Sequence, residues 1–177
     1  FCDFMDQQQV TDQRFGGTQR LYGVSETDVL CGSHVCIVGI GGVGSWVAEG
    51  LARTALGHIT LIDLDDICVT NTNRQIHALC DTVGQAKVQA MEQRIVQINP
   101  ACRVSQIEDF VTPDNVAELL NNSYDYVVDA TDSIKAKAAM VAHCKRNKIP
   151  IITIGGAGGQ IDPTQVAVAD LSRTIQD

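Results

Sequence analysis

The sequence has no long hydrophobic run, no C-x-x-C pair and no excess of basic residues. No apolar stretch approaches the roughly 18 residues that a membrane-spanning helix requires, and we see no secretory leader at the N-terminus. The seven cysteines never fall at the spacing of zinc ligands, so we expect neither a zinc site nor disulfides in this segment. Cys36 in a predicted strand and Cys144 in a predicted helix are typical small buried residues, and we expect most of the cysteines to be of this kind.

The charge balance is acidic, with 13 Lys and Arg residues against 21 Asp and Glu, which gives a net charge of −8 at pH 7. This argues against the segment serving by itself as a platform for nucleic acid, although a second subunit can supply a basic surface. The 177 residues and the hydrophobic content of 45% are those of one ordinary globular domain. No internal repeat or low-complexity linker divides it.

The most informative stretch is Val-Cys-Ile-Val-Gly-Ile-Gly-Gly-Val-Gly, from Val35 to Gly44. An apolar run reaches Gly39, Gly41 and Gly44 at G-x-G-x-x-G spacing, and an amphipathic segment follows from residue 45 to 56. Gly39 lets the backbone turn, Gly41 lets a phosphate approach the chain, and Gly44 lets the helix pack closely on the strand. The unpaired N–H groups at the start of that helix favour a phosphate, so the stretch predicts a nucleotide-binding turn.

Strand and helix patterns alternate along the rest of the chain. This order predicts an α/β fold: a doubly wound, mostly parallel, Rossmann-like sheet with helices on both faces. Residues 14–23 contain glycines that break a helix, and they predict either a surface loop with aromatic anchors or an arm that reaches a neighbouring site. The predicted strands are residues 35–38, 58–63, 102–107, 124–130, 149–154 and 165–169.

Polar residues that follow the strands are the candidate ligands. Asp63 ends the second strand about 20 residues after the last glycine of the turn, where an acidic side chain accepts from ribose hydroxyls. Lys87 falls in the first turn of a predicted helix, where the helix dipole disfavours a cation unless an anion lies beside it. Arg74 lies in the polar connection between them, and Asp132 follows the fourth strand.

These side chains converge beyond the carboxyl ends of the strands and favour a nucleoside triphosphate over a nicotinamide dinucleotide. A dinucleotide needs the glycines and Asp63, but it does not need Arg74, Lys87 and Asp132 together. His77 is a candidate acid or base for hydride transfer, although a histidine in a polar connection is more often on the surface. The sequence therefore predicts ATP binding, with Asp132 as the ligand of Mg²⁺.

Five motifs, in order, resemble the adenylation domain of the ubiquitin-activating-like enzymes, which include bacterial enzymes that adenylate the sulfur-carrier proteins of molybdopterin and thiamine synthesis. The motifs are Gly39-Ile-Gly-Gly-Val-Gly44, Asp63-x-Asp65, Asn71-x-x-Arg74-Gln75, Val83-Gly-Gln-x-Lys87 and Asp129-x-x-Asp132. The resemblance implies adenylation of a carboxylate with Mg-ATP. It implies that Arg74, Lys87 and Asp132 are catalytic and that Asp132 binds the metal. The implied nucleotide contacts are Gly39, Gly41, Gly42, Gly44, Asp63, Asp65, Asn71, Arg74 and Lys87.

Further stretches are similar to one branch of this family, the dehydratases of threonylcarbamoyladenosine in tRNA. They are Arg14-Phe-Gly-Gly-Thr-x-Arg-Leu-Tyr-Gly23, Val69-Thr-Asn-Thr-Asn-Arg-Gln-Ile-His77, Asp109-Phe-Val-Thr-Pro-Asp-Asn-Val116, Gly155-Gly-Ala-Gly-Gly-Gln-Ile-Asp-Pro-Thr164 and Asp170-Leu-x-x-Thr-Ile-Gln-Asp177. The resemblance implies a tRNA substrate, a cytoplasmic enzyme and a homodimer. It implies that the threonyl carboxylate is adenylated and then closed into a ring with loss of AMP. Adenylation of a sulfur-carrier or ubiquitin-like protein, with that protein as partner, and an inactive nucleotide-binding scaffold are the alternatives.

The chain also departs from the family pattern. Relatives that adenylate sulfur carriers have an arginine that reaches the partner subunit's ATP, and here a glycine occupies that position, with Arg14 and Arg20 as candidate substitutes. Ser133 follows Asp132 where many relatives have asparagine. We expect a flexible N-terminal segment over residues 1–13 and an ATP-binding adenylation domain over 14–177, and the resemblance implies that the family's chain continues beyond Asp177.

Overall fold

A five-stranded parallel sheet lies at the centre of the computed structural model, which describes residues 7–121, 123–156 and 158–174, with side chains from Gln13 onward. In chain order the strands are β1 (His34–Val38), β2 (His58–Ile62), β3 (Arg103–Ile107), β4 (Tyr126–Asp129) and β5 (Ile151–Thr153). Their order in the sheet is β3-β2-β1-β4-β5, and all four strand pairs are parallel.

Helices cover both faces of this sheet. The helices are α1 (Gln7–Tyr22), α2 (Val24–Gly32), α3 (Gly44–Ala52), α4 (Lys87–Ile98), α5 (Val116–Leu119) and α6 (Ile134–Asn147). The strands are apolar on both sides: Ile37 and Leu61 pack against α3 and α4, whereas Val38 and Ile62 pack against α5 and α6. Burial on both faces explains why these strands are continuous apolar runs. The predicted doubly wound α/β fold is confirmed.

The strand order reverses at β1, which pairs with β2 on one side and with β4 on the other. Val38 is in register with Ile62 and with Asp129, so the three strands end at the same level. In open α/β sheets a ligand binds in the crevice at such a reversal, beyond the carboxyl ends of the strands. The glycine turn and the residues after β4 therefore lie at the position where a ligand is expected.

Of the two alternatives for residues 14–23, the surface loop is wrong, because most of that segment is helical, and the arm that reaches a neighbouring site stays a prediction. The segment forms the last part of α1, which bends at Phe15, where φ is −113° and ψ is 15°. Phe15 is buried and holds the bend against the domain, so only one of the predicted aromatic anchors is present; Tyr22 is exposed. The chain leaves the helix at Gly23, whose φ of 105° favours glycine. Residues 1–6 of the predicted flexible segment lie outside the described residues.

The strand predicted at residues 165–169 is also wrong. Two short 3₁₀ helices, Pro163–Gln165 and Leu171–Arg173, are the regular elements in the described part of this segment, 158–174. The side chains of Asp162 and Asp170 accept from the backbone N–H groups of Thr164 and Ser172 and cap these turns. Ile161 and Val168 are almost fully exposed, so the apolar residues that indicated a strand have no sheet to join.

Two further properties bear on the sequence expectations. Cys36 and Cys144 are buried as predicted, but Cys31, Cys68 and Cys80 are exposed, so the expectation that most cysteines are buried holds for only half of those described. No helix within the described ranges is long and apolar enough to cross a bilayer.

Candidate nucleotide-binding site

The turn between β1 and α3 is shaped by close contacts that leave no room for side chains. Gly39 has φ of 86°, and a Cβ there would lie 2.9 Å from the carbonyl oxygen of Ala130. A Cβ at Gly44 would lie 1.8 Å from the carbonyl oxygen of Gly39, inside van der Waals contact. At Gly41 the nearest atom to such a Cβ is 3.9 Å away, so this face of the turn is open. The open face at the helix N-terminus is where a phosphate approaches backbone N–H groups.

Asp63 braces this turn from beneath. Its side chain is 7% exposed, Oδ2 accepts from the backbone N–H of Ile40 at 2.6 Å, and Oδ1 accepts from the N–H of Asp65 at 2.9 Å. Each carboxylate oxygen has a second acceptor position, so Asp63 keeps the capacity to accept a hydroxyl. Its role as ribose ligand stays a prediction, and bracing the turn is a function that the sequence did not indicate.

Lys87 is the first residue of α4, as predicted, and its side chain is only 8% exposed. The ammonium Nζ lies 2.6 Å from Asp65 Oδ2 and 3.8 Å from Asp63 Oδ1. The side chain of Asp65 is 54% exposed, so one partner of this ion pair faces water. The crevice thus contains the nearly buried Lys87 side chain next to Asp63, the carboxylate that accepts a hydrogen bond from the glycine turn.

Arg74 lies across the glycine turn. Its Cγ and Cδ would both be 3.3 Å from a Cβ at Gly42, and its Nη1 donates to Thr70 O at 3.2 Å and to Asn73 Oδ1 at 2.9 Å. The backbone of Arg74 is tied to α3, because the indole Nε1 of Trp46 donates to its carbonyl oxygen at 2.9 Å. This arrangement holds an exposed guanidinium above the N-terminus of α3.

Asn71 lies in the short 3₁₀ helix Val69–Asn71 that leads to Arg74. Its Oδ1 accepts from the backbone N–H of Cys68 at 2.9 Å, and its carbonyl oxygen accepts from the N–H groups of Arg74 and Gln75. Asn71 therefore shapes the connection that presents Arg74. Direct contact of Asn71 with a phosphate stays a prediction.

His77 is buried, so the view that a histidine in a polar connection lies on the surface is wrong here. It is 2% exposed because the connection folds under the glycine turn, where its Nε2 donates to Ile40 O at 2.9 Å. Burial lowers the pKa of His77, and the nearby Lys87 lowers it further. Among the described residues, His77 Nδ1 and the neighbouring Gln75 Oε1 are buried without a hydrogen-bond partner.

The end of β4 carries the second acidic pair. Asp129 is fully buried; its Oδ2 lies 3.0 Å from Lys137 Nζ and accepts from Thr153 Oγ1 at 2.6 Å, while its Oδ1 accepts from the N–H of Thr131 at 3.0 Å. Asp132 is exposed, and its carboxylate has no hydrogen-bond or ion-pair partner among the described residues. The fixed Asp129 thus anchors the short segment that ends in a free carboxylate. Lys137, three residues after the start of α6, is the residue that sequence reasoning missed.

The residues present fit ATP and Mg²⁺. The open glycine turn and the cations Arg74 and Lys87 match the charge of a triphosphate. Within the described ranges no three acidic, histidine or cysteine side chains cluster as a metal site. Mg²⁺ is usually held by one or two carboxylates together with substrate phosphates, so a lone Asp132 is adequate.

A glycine turn at the N-terminus of a helix, placed where the strand order reverses, defines the class: a nucleotide-binding α/β domain. Residues 17–174 match the ThiF family. The chain belongs to the ThiF family, and the resemblance seen in the sequence is confirmed.

One known sequence and two crystal structures show the relationship in more detail. The chain is 65% identical over 165 residues to the tRNA threonylcarbamoyladenosine dehydratase of Escherichia coli, covering 93% of this chain and 62% of that protein's length. A crystal structure of the E. coli tRNA N6-threonylcarbamoyladenosine dehydratase in complex with ATP superposes with a TM-score of 0.92 at 63% identity, covering 94% of this chain and 68% of that one. A crystal structure of the same enzyme with AMP has a TM-score of 0.92 at 64% identity, with coverage of 95% and 68%. This chain thus spans less than two thirds of the sequence relative's length.

Proposed function

We propose that this protein uses ATP to dehydrate threonylcarbamoyladenosine in tRNA, by adenylating its carboxylate. The observation that carries the proposal is the placement of Arg74 above Gly42, with Lys87 beside Asp63 at the same end of the sheet. Two cations at a phosphate-binding turn suit a reaction in which negative charge develops at a phosphate. The identity to a relative with this activity supports the choice of substrate.

In the proposed reaction a carboxylate oxygen of the threonylcarbamoyl group attacks the α-phosphorus of ATP. The bond from that phosphorus to the bridging oxygen breaks, and pyrophosphate leaves with the electron pair. A nitrogen of the substrate then attacks the acyl carbon, AMP departs with the carboxylate oxygen, and the nitrogen loses its proton. The net change is the loss of one water from the substrate, coupled to conversion of ATP into AMP and pyrophosphate.

The chain's own residues have distinct tasks in this proposal. Asp63 holds the ribose while it braces the turn, and Arg74 and Lys87 bind the phosphates and stabilise the charge on the α-phosphoryl group. Asn71 orients Arg74 through the 3₁₀ turn. Asp132 would bind Mg²⁺, which when bound neutralises phosphate charge.

ATP–pyrophosphate exchange tests the proposed function. The purified protein is offered threonylcarbamoyl-modified tRNA, unmodified tRNA and, separately, small carrier proteins that end in Gly-Gly. We expect exchange and AMP release with modified tRNA alone. Exchange only with a carrier protein would show that the substrate is a sulfur-carrier or ubiquitin-like protein and not tRNA. ATP binding without exchange in any mixture would indicate an inactive scaffold.

We also propose that the enzyme is cytoplasmic, because tRNA and ATP are both available in the cytoplasm. We further propose that it is a homodimer. Four apolar side chains on α1 and α2 support a partner surface, because each is more than half exposed. They are Leu21 (73%), Tyr22 (54%), Val24 (63%) and Val29 (67%). Burial of such a patch stabilises an assembly. Light scattering at several protein concentrations tests this, and the mass of a single subunit throughout would contradict it.

A further inference from the structure

A cavity of about 410 Å³ lies on the outer side of the α3 and α4 layer, away from the glycine turn. Its described lining contains three arginines and no carboxylate. The lining residues are Arg14, Phe15, Arg53, Arg94, Gln97 and Ile98. None of these residues belongs to the nucleotide site described above.

A buried carboxylate behind the cavity positions two of the arginines. Glu49 has a side chain only 7% exposed, and its Oε1 lies 2.6 Å from Arg53 Nη2 while its Oε2 lies 2.5 Å from Arg94 Nε. Both guanidiniums are therefore held at defined positions, with N–H groups left over, since a guanidinium carries five. Burial by itself raises the pKa of Glu49, but the hydrogen bonds and charges of Arg94 and Arg53 together outweigh it and lower the pKa, so the carboxylate is charged at neutral pH.

The third arginine comes from α1. Arg14 Nη1 donates to the carbonyl oxygen of Ile98 at 2.8 Å, at the C-terminal end of α4, and this contact holds the guanidinium at the rim of the cavity. Buried Phe15 at the bend of α1 fixes the approach of this helix. Three guanidiniums against one carboxylate leave a surplus of two positive charges, on a chain whose net charge is −8.

We propose that this arginine cavity, formed by Arg14, Arg53 and Arg94, binds a backbone phosphate of the tRNA substrate. Planar guanidinium groups bind phosphate through paired N–H donors, and arginine is the preferred residue for such contacts. Lys87 and Arg94 are seven residues apart on α4, which places the cavity about 10 Å along the helix from the catalytic crevice. A short run of nucleotides spans that separation. The proposal rests on the proposed function, because it assigns the phosphate to that substrate.

Two substitutions test the cavity. Arg53→Gln removes a charge whose side chain is 60% exposed and leaves Arg94 to pair with Glu49, while Arg14→Gln removes the charge at the rim. Arg146→Gln is the matched control, since Arg146 is exposed near the end of α6 on the opposite face of the sheet. Arg53→Lys, which restores the charge, tests for rescue. Thermal unfolding of each variant verifies that it is folded.

The dissociation constant for threonylcarbamoyl-modified tRNA is measured by fluorescence anisotropy over a series of KCl concentrations, alongside ATP affinity and AMP release. Each cavity variant should weaken tRNA binding about three- to tenfold and reduce the salt slope by about 0.7 to 0.9. The ATP affinity of Arg53→Gln should not change, and Arg146→Gln should bind tRNA as the wild type does. Arg53→Lys should recover the salt slope but only part of the affinity, because lysine keeps the charge and lacks the paired N–H donors.

The outcomes separate this inference from the proposed function. The arginine cavity is not the phosphate site if the wild type releases AMP with modified tRNA but the cavity variants keep the wild-type tRNA affinity and salt slope. The same holds if Arg146→Gln loses as much tRNA affinity as the cavity variants do. If tRNA binding depends on Arg53 and Arg14 while no AMP is formed, the cavity stands as an RNA-phosphate site and the proposed reaction fails. If the wild type binds ATP but no tRNA, both are wrong.

Discussion

The Lys87 ammonium lies 2.6 Å from the Asp65 carboxylate, and the two side chains differ greatly in exposure, at 8% for the lysine and 54% for the aspartate. The lysine side chain is nearly buried at the start of α4, whereas the aspartate has water on one side. A phosphate that takes the place of Asp65 at Nζ returns that carboxylate to solvent at little cost, because half-exposed ion pairs contribute little stability. The ion pair therefore holds the Lys87 ammonium in a defined position in the crevice.

Substitution of this lysine should remove the chemistry. In Lys87→Met we expect AMP release to fall by about 10²- to 10³-fold, because a preorganised cation at the phosphoryl group is lost. Lys145→Met, at the exposed end of α6, is the control for loss of a lysine charge. Single-turnover AMP formation is the measurement. Near-normal turnover in Lys87→Met would remove Lys87 from the catalytic residues.

Substitution of Arg74 or Asp132 should abolish AMP formation. Both side chains are exposed, so the fold should stay intact. We expect Arg74→Ala to lose phosphate stabilisation and Asp132→Ala to lose the metal ligand, so that added Mg²⁺ partly restores only the second variant. Exposed Asp114 supplies the control Asp114→Ala. Circular dichroism and AMP release, measured over a Mg²⁺ titration, test both expectations. A response of Arg74→Ala to Mg²⁺ would contradict the separate roles.

Two glycines of α3 allow a matched test of the turn. A Cβ at Gly44 would lie 1.8 Å from the carbonyl oxygen of Gly39, whereas a Cβ at Gly50 meets nothing within 4 Å. Gly44→Ala should lower the free energy of unfolding by about 1–3 kcal/mol through the forced backbone shift, and it should weaken ATP binding. Gly50→Ala should stabilise the helix by up to about 1 kcal/mol. Urea unfolding with and without ATP compares them, and equal effects would argue against a tightly packed turn.

Two stacked histidines lie at the end of the sheet opposite the glycine turn, and they predict a loss of stability in acid. The rings of His34 and His58 stack with centroids 3.4 Å apart, and burial, together with the nearby His34 and Arg103, lowers the pKa of His58 to about 4. As the pH falls below about 6.5, His58 therefore binds a proton in the unfolded chain before it does so in the folded protein. The stability contributed by the neutral stack is lost between about pH 6.5 and 4.

Thermal unfolding of the wild type and of His58→Asn at pH 7.5, 6.5 and 5.5 measures this effect. We expect the wild type to lose stability more steeply than the variant across this range. His143→Asn, which leaves the stack intact, should follow the wild type. Parallel pH curves for the wild type and His58→Asn would show that the stack does not couple folding to protonation.

Local patterns were enough to predict the sheet and the nucleotide turn. The apolar runs of β1 and β2 and the glycine spacing at Gly39 and Gly44 act within a few residues, so the sequence alone reports them. The position of Lys87 at the start of α4 follows from helical periodicity in the same way. The apolar residues near Val168 had the same appearance as a strand, and they misled because no neighbouring strand is there to pair with them.

By itself, the sequence determined the fold class and the glycine turn before α3, because these depend on residue type and spacing. The charged residues that it assigns to a triphosphate stay a prediction. The tertiary structure alone decided that Asp63 braces Ile40, that His77 is buried beneath the turn, and that Lys137 holds Asp129. It also decided that Arg14 from α1 joins Arg53 and Arg94 around one cavity. Such contacts link residues far apart in the chain, and only packing of the layers determines which of them meet.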